Sequence, residues 1–233
     1  MLASLPPDAD DLAIAEHLAR EVGQALVAAR ARWIAERRSW WDIESGADQL
    51  GHDLLVDALT ELRPADAVLS EEGDDHGDRH GAARCWIVDP LDGSADFPDP
   101  ASGAFAIHVA LVEDGAVPVA AVSLPAIDAL HSTGEPHALD PDRSEPIVVG
   151  GRSVVGFTRR LAAELGGTPT AVGSSGVKAM AVVRGLRGTE WLIQAMQQAE
   201  GFAVDLALPI TDLEPEAVEK YGLEKYATGI VDE

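Results

Sequence analysis

The chain has one cysteine, Cys85, so no disulfide can form within it, and a reducing compartment, the cytoplasm, is expected. Basic residues are nearly as scarce. Lys and Arg number 17 against 40 Asp and Glu, giving a formal net charge of −23. Without a basic patch, a nucleic-acid polymer is a poor partner. No apolar run reaches the ~18 residues needed to cross a bilayer, and the first residues, Met1-Leu2-Ala3-Ser4-Leu5-Pro6-Pro7, lack a basic n-region and a long apolar stretch. Neither a membrane segment nor a signal peptide is therefore expected. What is present is 233 residues, 46% of them apolar, enough for one large domain or two small fused ones. Most of the carboxylates serve as a solvated, self-repelling surface. Four or five converging on one point would be enough to hold a hard cation.

Periodicity divides the chain. Residues 9–38 read as a long helix, with Ile14, Leu18, Val22 and Leu26 recurring every fourth position and Asp8 or Asp10 as cap. A second helix is expected over 48–62, with Leu50, Leu54, Leu55, Ala58 and Leu62 on its buried face. The intervening segment, which contains Trp40 and Trp41, reads as a loop or short hairpin. Short apolar strands follow at 67–69 and 85–88, then a hairpin of 104–112 and 117–124 about Glu113-Asp114-Gly115-Ala116, and a further strand at 129–132. A stretch rich in Pro, Asp, Gly and Glu at 134–146 marks a boundary. Beyond it, strands at 147–150 and 170–173 alternate with helices at 155–165 and 175–183, an α/β pattern. The expected organisation is an α+β half over 1–140 carrying the chemistry and an α/β half over 141–233 with an acidic, irregular tail.

The informative segment is Trp86-Ile87-Val88-Asp89-Pro90-Leu91-Asp92-Gly93-Ser94. An apolar strand ends in a carboxylate, Pro90 fixes the next turn, and a second carboxylate follows three residues after the first. Two carboxylates so placed suit Mg²⁺, which takes one or two carboxylates and completes its shell with water and substrate phosphate. A helix beginning at Gly93-Ser94 would turn its free amides to the same point. The alternative is a plain strand-end turn with Asp92 and Ser94 as caps. Leu69-Ser70-Glu71-Glu72, a second apolar strand ending in acids just upstream, favours a shared anionic pocket.

Ser70-Glu71-Glu72 and the run from Trp86 to Ser94 resemble the metal-site motifs of the inositol monophosphatase-like family of Mg²⁺-dependent phosphatases. Residues 63–72 and the segment Val172-Gly173-Ser174-Ser175-Gly176-Val177-Lys178 look most like its 3′(2′),5′-bisphosphate nucleotidase branch. The resemblance implies a layered α-β-α-β-α sandwich of the inositol monophosphatase/fructose-bisphosphatase type. It also implies hydrolysis of a small phosphorylated metabolite, 3′-phosphoadenosine 5′-phosphate first, with two or three Mg²⁺ ions and a homodimer left open. Carried over residue by residue, it makes Glu71, Asp89, the Leu91 carbonyl and Asp92 metal ligands. Gly93 and Ser94, with Asp92, are substrate-binding residues, and Asp48 and Ser94, with Glu71, the catalytic group. One cation would promote ionisation of the attacking water and another neutralise the leaving oxygen.

The pattern breaks in the C-terminal part. The family's Trp-Asp motif is missing, and Val204-Asp205-Leu206-Ala207-Leu208-Pro209 is its nearest counterpart, making Asp205 the candidate fourth corner. Inositol monophosphatase or another sugar phosphatase, and a degenerate non-catalytic binding member, are the alternatives. His108 reads as a hydrogen-bonded strand residue and Cys85 as buried and inert. His76 and His80 fall in a surface loop. Trp40 and Trp41 are packing or interface residues. Lys178 is either near a substrate phosphate or on a solvated helix face.

Overall fold

A computed structural model describes residues 5–6, 8–73, 82–135, 147–151 and 154–183. The chain divides into two compact units, Met1–Pro136 and His137–Glu233.

The first unit opens with helices α1, Asp11–Ala35, and α2, Trp40–Leu62. Asp10 caps α1, its side chain accepting from the Ala13 amide at 2.7 Å. The second helix begins eight residues earlier than periodicity suggests, and the loop or hairpin expected around Trp40-Trp41 is its first turn. Ser39 is the reason. Its hydroxyl accepts from the Asp42 amide at 3.1 Å and donates to the Asp42 carboxylate at 2.7 Å, while Ile43 and Ala47 bring the first turns into phase with Leu55 and Leu59. Trp40 and Trp41 are left exposed, at 53% and 72%.

Five strands follow: β1, Ala67–Ser70; β2, Arg84–Asp92; β3, Ala106–Glu113; β4, Ala116–Leu124; and β5, Ala129–Ser132. They form one sheet in that order. β1 runs parallel to β2, and every other pair is antiparallel. Alternation along the strands builds the core. Trp86 and Val88 on β2 and Ile107, Val109 and Leu111 on β3 pack with Ile14, Leu18, Val22 and Leu26 of α1 and Leu55 and Leu59 of α2. The intervening residues of β2 and β3 therefore turn to the opposite face. At the start of β2, the Arg84 guanidinium binds Asp66, Asp11 and Glu113 at 2.7–3.0 Å, and Trp86 Nε1 donates to Asp66 at 2.9 Å.

In the second unit, β6 (Ile147–Gly150) and β7 (Thr168–Ala171) pair in parallel around helix α3 (Val155–Leu165), and α4 (Ser175–Val183) follows. The α/β alternation expected there is present, with β7 two residues earlier than read. Ser174 caps α4 by accepting from the Val177 amide at 3.0 Å. Lys178 is 6% exposed with its ammonium 3.4 Å from the Gly173 carbonyl, so it does not lie on a solvated helix face. No described helix is long and apolar enough to cross a membrane.

Candidate metal centre

The parallel β1–β2 pair brings two acidic strand ends together. Ser70 is in register with Val88, and the Glu71 amide donates to the Val88 carbonyl at 3.2 Å, so Glu71 leaves β1 alongside Asp89. α2 fixes that end of β1 through His52, whose Nδ1 is 2.8 Å from the buried Ser70 hydroxyl.

Asp89 and Asp92 need a second device. Residues three apart on a regular strand point to opposite faces. Here Asp89 pairs with His108 and Asp92 with Ala106, so three steps on β2 answer two on β3. This β-bulge returns Asp92 to the face of Asp89. Pro90 lies within it, where a residue without an amide proton loses no ladder bond, and the Leu91 amide donates to Asp89 Oδ1 at 3.1 Å to close it. Gly93 then takes φ 94°, a left-handed conformation suited to glycine, and the chain makes a single 3₁₀ turn, Ser94–Asp96. The helix that could have started at Gly93-Ser94 is only this one turn.

Asp89, Asp92 and His108 each present one ligand atom, and these three atoms lie within 4.8 Å of one another. His108 Nε2 is 3.4 Å from Asp92 Oδ2. His108 thus makes the hydrogen bond expected of it, but to the site itself rather than inside the core. Its register opposite Asp89, on the polar phase of an otherwise apolar strand, was the available signal, and strand pairing is needed to use it. The electrostatics are those of crowded negative charge. Burial raises the Asp89 pKa, and the neighbouring Asp92 and Glu71 carboxylates add to this against the opposing charge of His108. Burial works against protonating His108, but its bond to Asp92 and the charges of Asp92, Asp89 and Glu71 prevail and raise its pKa. Asp48 on α2 is pushed up to about 7 by burial, then by Glu72, Glu44 and Glu71. Oxygen-rich, mutually repelling donors at this spacing fit a divalent cation. Ligands at ~2.1 Å from such an ion lie ~3 Å apart when adjacent and ~4.2 Å when opposite.

The loop after the motif is held by a residue that sequence reasoning missed. Arg30 of α1 donates through Nη1 to the carbonyls of Phe97, Asp99 and Ser102 at 3.1–3.3 Å. Its guanidinium lies 5.0 Å from the ring centres of both Phe97 and Phe105. α2 packs against the 3₁₀ turn, yet among the described residues no hydrogen bond joins Asp48 to Ser94. Asp205, His76 and His80 lie outside the described residues. Cys85 is half-buried, with its thiol directed to the Trp86 carbonyl at 3.7 Å, rather than fully enclosed.

The chain is a member of the inositol monophosphatase family, whose family model matches residues 9–193. It is 36% identical over 196 residues to the 3′-phosphoadenosine 5′-phosphate phosphatase of Mycobacterium leprae, covering 75% of this chain and 69% of that protein. The enzyme of the same name from Mycobacterium bovis is 34% identical over 157 residues, which is 62% of this chain and 58% of its own length. The Escherichia coli 3′(2′),5′-bisphosphate nucleotidase CysQ is 34% identical over 92 residues, 39% of this chain and 37% of that one. Among solved structures, Mycobacterium tuberculosis SuhB superposes with a TM-score of 0.57 at 23% identity, over 75% of this chain and 73% of that one. CysQ from Bacteroides thetaiotaomicron does so at 0.56 and 24%, over 72% and 74%. The fold is thus the α–β sandwich of these proteins, as the motifs led us to expect.

Proposed function

We propose that the protein is a Mg²⁺-dependent phosphomonoester hydrolase acting on a small phosphorylated metabolite, with 3′-phosphoadenosine 5′-phosphate as first substrate. The observation that carries this reading is the bulge-driven convergence of Asp89 and Asp92 beside Glu71. The names of the relatives support the choice of substrate. Glu71, Asp89, Asp92 and the Leu91 carbonyl would hold the cations, two or three in number. Bound cations supply positive charge that favours ionisation of water and offsets the charge of a phosphate ester. The chain's own groups do the rest. The amides of Gly93 and Ser94 orient phosphate oxygens, and Asp48 takes a proton from water that the Ser94 hydroxyl helps to position. A protein of net charge −23 would need such cations to accept an anionic substrate. With a single cysteine and no described membrane-crossing helix, a cytoplasmic setting accords with this role.

The test is phosphate release from 3′-phosphoadenosine 5′-phosphate and inositol 1-phosphate, with Mg²⁺ and with chelator. Release should require Mg²⁺ and be faster on the nucleotide; faster turnover of the inositol ester would move the assignment to a sugar phosphatase. Asp92→Asn should lose more than ~100-fold, because even the partners of metal ligands are worth 10–100-fold. Activity surviving that change would refute the metal assignment. Cation binding by calorimetry without turnover of either ester would identify a non-catalytic member.

A further inference from the structure

We propose that His108 Nε2 is itself a ligand of the cation held by Asp89 and Asp92, which gives the centre a mixed nitrogen–oxygen donor set and tighter binding of Mn²⁺ and Co²⁺ than an all-oxygen set would give, Mg²⁺ remaining the ion of the reaction above. This rests on the metal-site reading above and deepens it.

Three observations carry it. First, the register places His108 directly opposite Asp89 on neighbouring antiparallel strands, and the bulge brings Asp92 to the same face. Val109 on one side and Ile107 on the other are buried in the core, so the imidazole has no choice of face. Second, the ligand atoms of Asp89, Asp92 and His108 lie within 4.8 Å of one another, close enough to share one ion. Third, Nε2 and Oδ2 are 3.4 Å apart, inside the ~3–4.2 Å that separates two ligands of one cation. The side chain of His108 is 30% exposed and that of Asp92 14%, so an ion can reach the imidazole from the open face.

Chemistry then sets the affinities. A carboxylate and carbonyl set suits Mg²⁺, which binds nitrogen weakly and dehydrates reluctantly. Replacing one oxygen by an imidazole nitrogen raises affinity for first-row divalent ions, which accept nitrogen more readily than Mg²⁺ does, Co²⁺ more strongly than Mn²⁺.

Pulsed EPR of the Mn²⁺ complex of the wild-type protein, paired with calorimetry, tests this. The complex should show nitrogen modulation from an imidazole. His108→Gln, whose amide oxygen reaches about as far as Nε2, should abolish that modulation. It should weaken Mn²⁺ and Co²⁺ by at least about tenfold while changing Mg²⁺ by less than about threefold. If Mn²⁺ binds the wild type, is lost in Asp92→Asn, and shows no nitrogen modulation, His108 is not a ligand and the phosphatase reading stands. If neither Mn²⁺ nor Mg²⁺ binds and no ester is hydrolysed, both fail. Absence of nitrogen modulation in the wild-type spectrum overturns the proposal even if the variant does not fold.

Discussion

At the scale of single residues, the centre is a set of groups kept apart from their ordinary protonation states by one another. Asp48, Asp89 and His108 all have raised pKa values in the folded, cation-free protein. Each therefore binds more protons folded than unfolded at mildly acidic pH. Stability rises as pH falls towards the unfolded values and is lost as pH rises through the folded ones, about 7 for Asp48. The thermal midpoint of chelator-treated protein should accordingly rise between pH 8 and pH 6. Mg²⁺ should stabilise more at pH 8, where no proton competes with it. Differential scanning fluorimetry at the two pH values checks both signs. Because the large net charge acts in the same direction, the Asp48→Asn/Asp89→Asn double variant is the control: its pH response should be clearly flatter.

At the scale of elements, α1 and α2 position the strand ends. A Cβ on Gly51 of α2 would stand 2.9 Å from Pro90 Cβ and 3.2 Å from the Pro90 carbonyl oxygen. Alanine there gains about 1 kcal/mol of helix propensity but pushes a rigid ring inside the bulge. Gly51→Ala should keep its helix content in circular dichroism while losing cation affinity, because Asp89 and Asp92 move with Pro90. Arg30 works from the other side. Arg30→Met keeps the apolar stem over Phe97 and Phe105 but leaves three carbonyls without their donor. A loss of about 2–3 kcal/mol in urea unfolding is expected, together with faster amide exchange at residues 97–104. Arg30→Lys should recover only part, since an ammonium lacks the planar fork.

For the whole first unit, the hydrogen-bonded network of Arg84, Asp11, Asp66, Glu113 and Arg63 ties the start of α1 to the sheet at the start of β2, while the acids gather where β2 ends. Burial raises the Asp11 pKa, but its bonds to Arg84 and Arg63 outweigh that and hold it below the usual carboxylate range. Its contribution is present above the unfolded value and disappears as pH falls through the folded one, so this network favours neutral pH while the carboxylates at the far end of β2 favour acid. Arg84→Met should cost about 2 kcal/mol at pH 7 and progressively less as pH falls through the acid range, measured by urea unfolding along a pH series.

The order of helices and strands was legible along most of the chain because burial imposes its period on the residues. The four-residue repeat of α1 and the apolar runs of β1 and β2 are examples. The start of α2 was not, because exposed tryptophans hide a helix whose first turn is decided by the Ser39 cap. The candidate site was legible as chemistry: Glu71, Asp89 and Asp92 carry their meaning in residue type and spacing. Their convergence was not, since carboxylates three apart on a strand diverge unless a bulge returns one of them. The bulge is a property of the pairing between β2 and β3, as is the meeting of His108 with Asp89. Local sequence thus determined which donors exist. Only long-range register decided that they face one point, because strand pairing joins residues that the chain itself keeps far apart.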